Sequence, residues 1–193
     1  MRNYKAGLGW IGLVFIVAIM TGCEIMAGGK TVEFLEEVEA PGMTQKIILT
    51  RREIYEPRVV DLGVKQINVA SEVQVMDSSV PVWRGNLRPI YFEALPDRQG
   101  YLLVTAIPNA LVCLERGRPS SKYVIFSGNL KGWHEVPAPS YLEGRSANLL
   151  LSIEGRALGN TPLTMTRKKE LNLLGGFLHT LEQTIQLNFK YGC

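Results

Sequence analysis

Hydrophobic and polar residues alternate along most of the chain after residue 30. TVEFLEEV (31–38) is one example, and PIYFEAL and GYLLVTAI flank the turn-forming residues Pro96, Asp97 and Gly100, as expected for a hairpin. Further short runs are QKIILT, VVDLGVKQINVASEVQVMD, KYVIFSG, GWHEVP and ANLLLSIEG. Strands at intervals of about ten residues, with no long helical pattern between them, predict a mainly β fold with an antiparallel sandwich-like or barrel-like sheet.

One C-terminal helix is predicted. Within TRKKELNLLGGFLHTLEQT (166–184), apolar residues recur at the spacing of one helical face, at Leu171, Leu174, Leu178 and Leu181. Gly175 and Gly176 in the middle of this segment disfavour a helix by about 1 kcal/mol each relative to Ala. The final stretch, TIQLNFKYGC, alternates with a period of two and predicts a strand after the helix.

The N-terminus has the layout of an export signal. Residues 1–5 include two basic residues, Arg2 and Lys5, and no further charged residue occurs before Glu24. The apolar stretch LGWIGLVFIVAIM lies between them, as in the hydrophobic region of a secretory signal peptide. We therefore expect the rest of the chain to be exported.

This segment ends in MTGC, which resembles the lipobox of bacterial lipoproteins: an aliphatic residue, two small residues and a cysteine, here Met20, Thr21, Gly22 and Cys23. The resemblance implies a signal peptide over 1–22 and fatty acids such as palmitate on Cys23. It implies a flexible tether over 23–30 and leaves a single β-rich domain over 31–193. The sequence departs from the pattern at Met20, where Leu is commoner.

Acylation of Cys23 makes a membrane the first expected partner. Each buried methylene adds about 0.8 kcal/mol of membrane affinity, so two or three acyl chains hold a protein firmly. The domain is then expected in the periplasm, tethered to the inner or the outer membrane. Two alternatives stay open: an uncleaved signal-anchor helix, and ordinary signal-peptidase cleavage near Ala27 that discards Cys23.

The chain has three cysteines, Cys23, Cys113 and Cys193. An odd number is unexpected in an exported protein, because a free thiol is reactive in an oxidising compartment. Acylation of Cys23 leaves two cysteines, and we expect a disulfide between Cys113 and Cys193 that ties down the last residue. In the alternative, Cys113 is a small buried hydrophobic residue and Cys193 is a free tail.

Charge argues against one class of partner. The formal net charge of the whole chain is +3. Removing Arg2 and Lys5 with residues 1–22 leaves 19 basic against 18 acidic residues, a net charge of +1. So small an excess gives no support to nucleic-acid binding, and we expect no nucleic-acid partner.

Residues for catalysis or metal binding are few. The only histidines are His134 and His179, which rules out a His-rich metal site, and GWHEVP lacks the second histidine of a zinc HExxH motif. A thiol–imidazole pair of Cys113 with His134 is disfavoured, because apolar neighbours make a thiol unreactive. We expect no metal, no cofactor and no identifiable reaction.

Two clusters of charged residues are expected at the surface. The acidic residues Glu36, Glu37 and Glu39 are typical of a solvated strand face, although a catalytic carboxylate pair as in glycosidases stays open. The basic run 167–169 begins the predicted helix. We expect it to form a solvated first turn or, alternatively, to contact anionic lipid headgroups.

The most distinctive stretch is ERGRPSSKYVIFSGNLKGWHEVP (115–137). It predicts a turn, a strand, a second turn and a second strand on which Trp133 packs. Aromatic and arginine side chains are enriched at binding hot spots. The candidate interaction residues are therefore Trp83, Arg116, Arg118 and Trp133, with core packing as the alternative for the tryptophans.

The segments GRPSSKYVIF, GWHEVP and ANLLLS resemble uncharacterised proteobacterial envelope proteins, a likeness that covers most of the chain after Lys30 and implies no particular activity. With the lipobox, it predicts a membrane-anchored envelope lipoprotein that has a binding, structural or assembly role and a protein partner in the envelope. One alternative is an envelope hydrolase, which requires a deep polar pocket where His134 meets a serine or a carboxylate. The other is a signal-anchored membrane protein with the same domain.

Overall fold

The computed structural model describes residues 28–39, 46–60, 63–96, 100–151, 158, 161–174 and 184–187. The elements within them are, in chain order, β1 (Lys30–Val38), β2 (Ile47–Val60), β3 (Gly63–Val75), β4 (Trp83–Gly85), β5 (Arg88–Ala94), β6 (Tyr101–Ala106), α1 (Ala110–Glu115), β7 (Tyr123–Asn129), β8 (Gly132–Val136) and α2 (Met165–Leu174). A 3-10 turn, Ser140–Leu142, lies between β8 and α2. None of the helices described here is long and apolar enough to cross a bilayer.

Several predicted features lie outside the described residues. They are the signal peptide, Cys23, the turn residue Asp97, the glycines at 175 and 176, His179 and residues 188–193, which include Cys193. What the sequence predicts for these residues therefore stays a prediction. The last predicted strand is wrong over its described part, 184–187, where Thr184 forms an isolated antiparallel bridge to Ser146 and no strand follows.

The chain divides into two units. The first, here called the hairpin unit, comprises Met1–Thr31 and Ile54–Val69. The second, the sheet unit, comprises Val32–Glu53 and Ala70–Cys193. The single domain expected over 31–193 is not tested by this division and stays a prediction.

Two four-stranded antiparallel sheets are built from the strands, in the orders β1-β2-β3-β4 and β5-β6-β7-β8. Both orders follow the chain, which is the simplest connection for antiparallel strands. The second sheet has one register shift, a bulge between Pro89 and Tyr91 on β5. The predicted mainly β, antiparallel, sandwich-like fold with a C-terminal helix is confirmed, whereas the described strands close no barrel.

Alternation explains how the first sheet contributes to the core of the sheet unit. Every second residue near the end of β1 is buried, and the same holds for the start of β2 and the end of β3. Val38, Leu49 and Val73 occupy such positions and pack in one apolar cluster with Phe92 and Leu103 of the second sheet. Removal of this apolar surface from water, at roughly 25 cal/mol per Å², is the main stabilising contribution of such a core.

The second sheet is covered on both faces at β6. On β6, the five consecutive residues from Leu102 to Ala106 are buried. Leu103 belongs to the cluster shared with the first sheet, whereas Leu102 joins a second cluster with Leu142 and Ile185. A continuous apolar run is the pattern of a strand covered on both sides, which is why β6 does not alternate.

The short helix α1 is not predicted by the apolar pattern. Asn109 caps it, because Asn109 Oδ1 accepts a 3.0 Å hydrogen bond from Val112 N. Only Val112 and Cys113 are buried. The helix is followed by Gly117, whose φ of 73° lies in the left-handed region that favours glycine. Six residues are too few for a helical period to show in the sequence.

The predicted strand ANLLLSIEG (147–155) does not form over its described part, 147–151. Asn148 explains what takes its place. Its side chain accepts a 2.8 Å hydrogen bond from Phe92 N and donates a 2.7 Å hydrogen bond to Phe92 O. A side-chain amide therefore satisfies backbone groups on the outer edge of β5, where a neighbouring strand would otherwise do so.

The predicted C-terminal helix is present as α2, and Leu171 is buried as expected. Arg167 N donates a 3.3 Å hydrogen bond to Thr164 Oγ1, which caps the first turn. Just before the helix, Leu163 forms a parallel bridge to Glu36, with Glu37 N donating to Leu163 O at 3.0 Å. The segment leading into α2 thereby covers the open edge of β1.

Candidate functional site

Cys113 is fully buried in α1 and is disulfide-bonded. The other cysteines of the chain, Cys23 and Cys193, both lie outside the described residues. A cysteine in a disulfide has no thiol to act as a nucleophile, so a catalytic pair of Cys113 with His134 is excluded. The expected pairing with Cys193 stays a prediction.

The two tryptophans among the interaction candidates differ in burial. Trp83 is buried, and its ring meets Phe126 edge-on with centroids 5.4 Å apart. Trp133 is half-buried; a Cβ at Gly128 would meet its ring, and its Nε1 donates a 2.7 Å hydrogen bond to Pro81 O. Trp83 is therefore a core residue, the alternative that the sequence also allowed, whereas part of Trp133 reaches the surface.

The two arginines lie just after the end of α1. Arg116 is half-buried and pairs with Glu135 on β8. Arg118 is exposed, and its backbone N donates a 3.0 Å hydrogen bond to Cys113 O in a left-handed conformation with a φ of 56°. Arg118 is thus the more accessible of the two candidates.

The expectation of a solvated acidic face and a solvated basic run is wrong at two residues. Glu36 and Lys168 are both fully buried, whereas Glu39, Arg167 and Lys169 are exposed. Glu36 occupies an inward position of β1, because alternate residues around it are buried as well. Lys168 lies three residues before the buried Leu171, on the same face of α2.

Arg51 on β2 pairs with two carboxylates, one on β1 and one on β2 itself. Arg51 Nη1 lies 3.4 Å from Glu36 Oε1, and Arg51 Nη2 donates to Glu53 Oε1. Its guanidinium carbon lies 5.5 Å from the centroid of the Phe34 ring, within cation–π range. Ser71 Oγ donates a 2.5 Å hydrogen bond to Glu53 Oε2. We call Glu36, Arg51, Glu53, Ser71 and Lys168 the buried charge network.

Backbone groups and Lys168 complete the network. Glu36 Oε1 accepts a 3.0 Å hydrogen bond from Leu150 N, and Lys168 Nζ donates to Glu37 O at 2.6 Å and to Asn148 O. Desolvation lowers the pKa of Lys168, partly offset by the nearby charge of Glu36. The network fastens α2 to the first sheet, and its carboxylates are too buried to form a glycosidase pair, which needs an open cleft.

A groove of about 530 Å³ beside the β7–β8 turn is the candidate functional site. Its volume lies within the range of small-ligand sites. It is lined by residues of the β3–β4 connection, the start of β6 and the β7–β8 turn: Ser78, Val80, Gly100, Tyr101, Asn129, Leu130 and Lys131. None of the four sequence-predicted interaction residues is in this lining.

The β7–β8 turn shapes one wall of the groove. Asn129 pairs with Gly132, so Leu130 and Lys131 form the two-residue tip of a hairpin. Asn129 Oδ1 accepts a 2.8 Å hydrogen bond from Lys131 N, which fixes the turn. Leu130 is 72% exposed. An apolar side chain and an ammonium group therefore lie together at the rim.

Close backbone packing forms the base of the groove. A Cβ at Gly100 would collide with the carbonyl oxygen of Gly128, so this position accepts only glycine without a shift of the strands. Tyr101 stacks on Phe92 with ring centroids 5.2 Å apart, which orients its ring. The base of the groove is thus closely packed.

The opposite wall is held by two hydrogen bonds. Val80 N donates to Ser78 Oγ at 3.1 Å, and Trp133 Nε1 binds Pro81 O in the same connection. Trp133 therefore supports the groove from behind without lining it. Lys131 is the one charged residue of the lining, beside apolar and uncharged polar groups.

His134 does not lie in a deep polar pocket. In the register of β7 and β8 it is paired with Ser127, on a surface where the His134 side chain is exposed. Neither residue lines the groove. In the part of the chain that the structure describes, no group of three or more His, Cys, Asp or Glu side chains is placed to hold a metal ion.

A second polar cluster joins β5 to the 3-10 turn. Glu93 accepts a 2.8 Å hydrogen bond from Tyr91 OH and a 2.6 Å hydrogen bond from Tyr141 OH. Desolvation, followed by the bond to Glu93, raises the pKa of Tyr141 to about 12, and the same causes raise the pKa of Tyr91. Both phenols therefore stay protonated and act as donors at neutral pH.

The sequence held one signal for the groove. In NLKG (129–132), a leucine occupies the tip of a two-residue connection between two predicted strands. Turn positions are normally taken by Gly, Asn, Asp, Ser or Pro, so a leucine there is unusual. The residues of the β3–β4 connection gave no comparable signal.

Comparisons with known proteins assign the chain to no family. No protein-family model, no curated protein and no solved structure matches it. A function for this chain is therefore inferred from its sequence signals, its disulfide and its groove.

Proposed function

We propose that this chain is an envelope lipoprotein, held at a bacterial membrane by acyl chains on Cys23, whose sheet unit binds a protein partner at the groove. The disulfide at Cys113 carries the proposal. Disulfides persist in oxidising compartments such as the periplasm and are rare in the cytosol, so this bond supports export. If its partner is Cys193, as the sequence predicts, Cys23 stays available for acylation.

The chemistry of the groove supports binding more than it supports a reaction. Its lining combines the ammonium of Lys131 with the apolar side chains of Val80 and Leu130 and with the ring of Tyr101, and it includes no acid–base pair. Such a surface suits an extended peptide that presents an apolar side chain next to a carboxylate.

Metabolic labelling with radioactive palmitate tests the anchor. Wild type and Cys193→Ala are expected to incorporate the label, and Cys23→Ala is expected to lose it, because the lipobox resemblance makes Cys23 the acylated residue. Label on Cys23→Ala, or none on wild type, contradicts the anchor.

Alkylation of the denatured protein without reductant tests the pairing of Cys113. If its partner is Cys193, both cysteines stay unmodified in wild type, and Cys193→Ala exposes one new thiol at Cys113. If Cys113 stays protected in Cys193→Ala, its partner is Cys23. That result removes the acylation site and overturns the proposal.

Photo-crosslinking tests the groove. A crosslinking amino acid at Leu130 is expected to form a discrete adduct with an envelope protein in living cells, and the same probe at Leu111, which is also exposed but lies on α1, is not. The charge reversal Lys131→Glu is expected to weaken the adduct, while Lys169→Glu on α2 leaves it unchanged. Equal adducts from both probe positions would contradict a binding role for the groove.

A further inference from the structure

The hairpin unit exposes apolar residues at its turn. β2 ends at Val60 and β3 begins at Gly63. Val59 and Val64 lie one residue inside these ends and are 81% and 52% exposed. Among the residues of this unit that the structure describes, only Tyr55 is buried, so the two valines join no apolar core. Exposed apolar residues grouped at one end of a hairpin are a candidate contact surface.

The N-terminal end of β1 points toward the same turn. In the antiparallel first sheet, β1 runs opposite to β2. Gly28 and Gly29 therefore extend from β1 in the direction in which β2 approaches its turn. A Cβ at Gly29 would lie 3.1 Å from Tyr55 O, which places the start of β1 beside Tyr55.

The part of β2 that extends beyond Tyr55 and the chain from Gly29 back to Cys23 have similar maximal lengths. From Tyr55 to Val60 the strand covers about 17 Å, at about 3.4 Å per residue. The six residues back from Gly29 to Cys23 span at most about 21 Å. An acylated Cys23 and the turn of the hairpin are therefore able to reach one bilayer surface.

Basic residues flank the two valines. Arg58 and Lys65 are both exposed and adjoin Val59 and Val64 in the sequence. The sequence between the two strands adds the acidic Asp61, so the stretch 58–65 has a net charge of +1. Apolar side chains flanked by cations suit a bilayer surface, where the cations meet lipid phosphates and the apolar groups enter the headgroup–acyl boundary.

We propose that the end of β2 and the start of β3 dock onto the phospholipid bilayer that holds the acyl chains of Cys23. Val59 and Val64 enter the headgroup–acyl boundary, and Arg58 and Lys65 bind lipid phosphates. This inference rests on the proposed function, because the acyl chains bring the turn to the bilayer. Docking gives the lipoprotein a second membrane contact, which limits the orientations of the hairpin unit at the membrane.

Fluorescence quenching by brominated phospholipids tests the docking. The full acylated chain is placed in vesicles of phosphatidylethanolamine and phosphatidylglycerol, as Val59→Trp and as Leu130→Trp, a matched control at an exposed residue of the sheet unit. Because bromine quenches an indole only at close range, we expect Val59→Trp to be quenched at least about twofold more than the unsubstituted protein. Leu130→Trp is expected to match the unsubstituted protein.

A charge reversal sharpens the test. Lys65→Glu in the Val59→Trp protein is expected to lower the quenching, whereas Lys131→Glu is not. No quenching of Val59→Trp, or equal quenching of Val59→Trp and Leu130→Trp, overturns the docking. If a second copy of the chain covers the valines instead, quenching is absent and the protein dimerises with rising concentration.

The mass of the same preparation separates the two proposals. Acylated protein without quenching overturns the docking and leaves the anchor in place. An unmodified Cys23 overturns the proposed function itself, whatever the quenching shows.

Discussion

The two sheets bury their inner residues in different ways. The first sheet alternates between buried and more exposed positions, and it places Glu36, Arg51 and Glu53 among its buried residues. The second sheet is buried on both faces along β6, and its inner residues, such as Leu102 and Leu103, are mostly apolar. One sheet therefore combines apolar packing with paired charges, and the other relies mainly on apolar packing.

Because of this difference, substitutions should affect the stability of the two sheets in different ways. A buried charge is tolerated only while its partners are present, because an unpaired ion in a low-dielectric interior is strongly unfavourable. A buried aliphatic residue depends on its volume, because its removal leaves a cavity. Substitutions in the first sheet should therefore be strongly coupled to one another, and those in the second sheet should depend on size.

Arg51→Met is expected to have the largest effect. The substitution keeps most of the apolar stem but leaves Glu36 and Glu53 buried without the guanidinium that pairs with both. We expect the free energy of unfolding to fall by about 3–5 kcal/mol, measured by chemical denaturation.

Arg52→Met is the matched control, one residue further along β2. The Arg52 side chain is 40% exposed and pairs with Glu33 and Glu72. An exposed pair contributes about 0–1 kcal/mol, so the control should be close to wild type. Similar losses for the two arginines would contradict the distinction between a buried network and a surface ion pair.

Leu103→Ala probes the second sheet. Leu103 is fully buried in the cluster between the sheets, and its truncation should lower the free energy of unfolding by about 3 kcal/mol through lost burial and a residual cavity. Leu103→Met conserves volume and should cost less than about 1.5 kcal/mol. A Met variant as unstable as the Ala variant would show that shape, and not volume, limits this layer.

Much of the β architecture could be predicted from the sequence. The alternation of TVEFLEEV and the turn residues between PIYFEAL and GYLLVTAI are local signals, and β1, β5 and β6 form where those signals predict them. The helix α1 was missed because it is only six residues long. The strand expected at 147–151 was replaced by hydrogen bonds of Asn148, which depend on long-range packing.

The burial of Glu36 and the groove were harder to predict. Alternation put Glu36 on the inner face of β1, but charge favours the surface unless a partner is present, and its partner Arg51 lies on another strand. The groove joins Ser78, Tyr101 and Lys131 from distant parts of the chain. Only the leucine at the tip of NLKG signalled it locally.

Lys168→Met tests the part of the buried charge network that lies on α2. At neutral pH we expect a loss of about 1–2 kcal/mol, because two backbone carbonyls lose their donor while the desolvation of a cation is relieved. Burial lowers the pKa of Lys168 below 10.5, so the unfolded state binds the proton more tightly. The contribution of Lys168 to the free energy of unfolding should therefore rise with pH between its lowered pKa in the folded state and 10.5.

The measurement is the difference in unfolding free energy between wild type and Lys168→Met at several pH values from 7 to 10.5, which cancels most other titrations. The advantage of wild type over Lys168→Met should grow as the pH rises. A constant difference would mean that the ammonium of Lys168 is solvated in the folded protein.

Tyr141→Phe is expected to have the smallest effect and to test a polar contact of the second sheet. Tyr141 is half-exposed, so the loss of its hydrogen bond to Glu93 should lower the free energy of unfolding by less than about 1 kcal/mol.

The raised pKa of Tyr141 determines how the contribution of its hydroxyl group to stability depends on pH. A contribution present below pH 10 should disappear as the pH rises from the unperturbed value of 10.0 to about 12. Denaturation of both proteins across this range checks it, with Glu93→Gln as the background in which the difference should shrink. If the difference persists unchanged above pH 12, the hydroxyl stabilises the edge of β5 by packing and not through the carboxylate of Glu93.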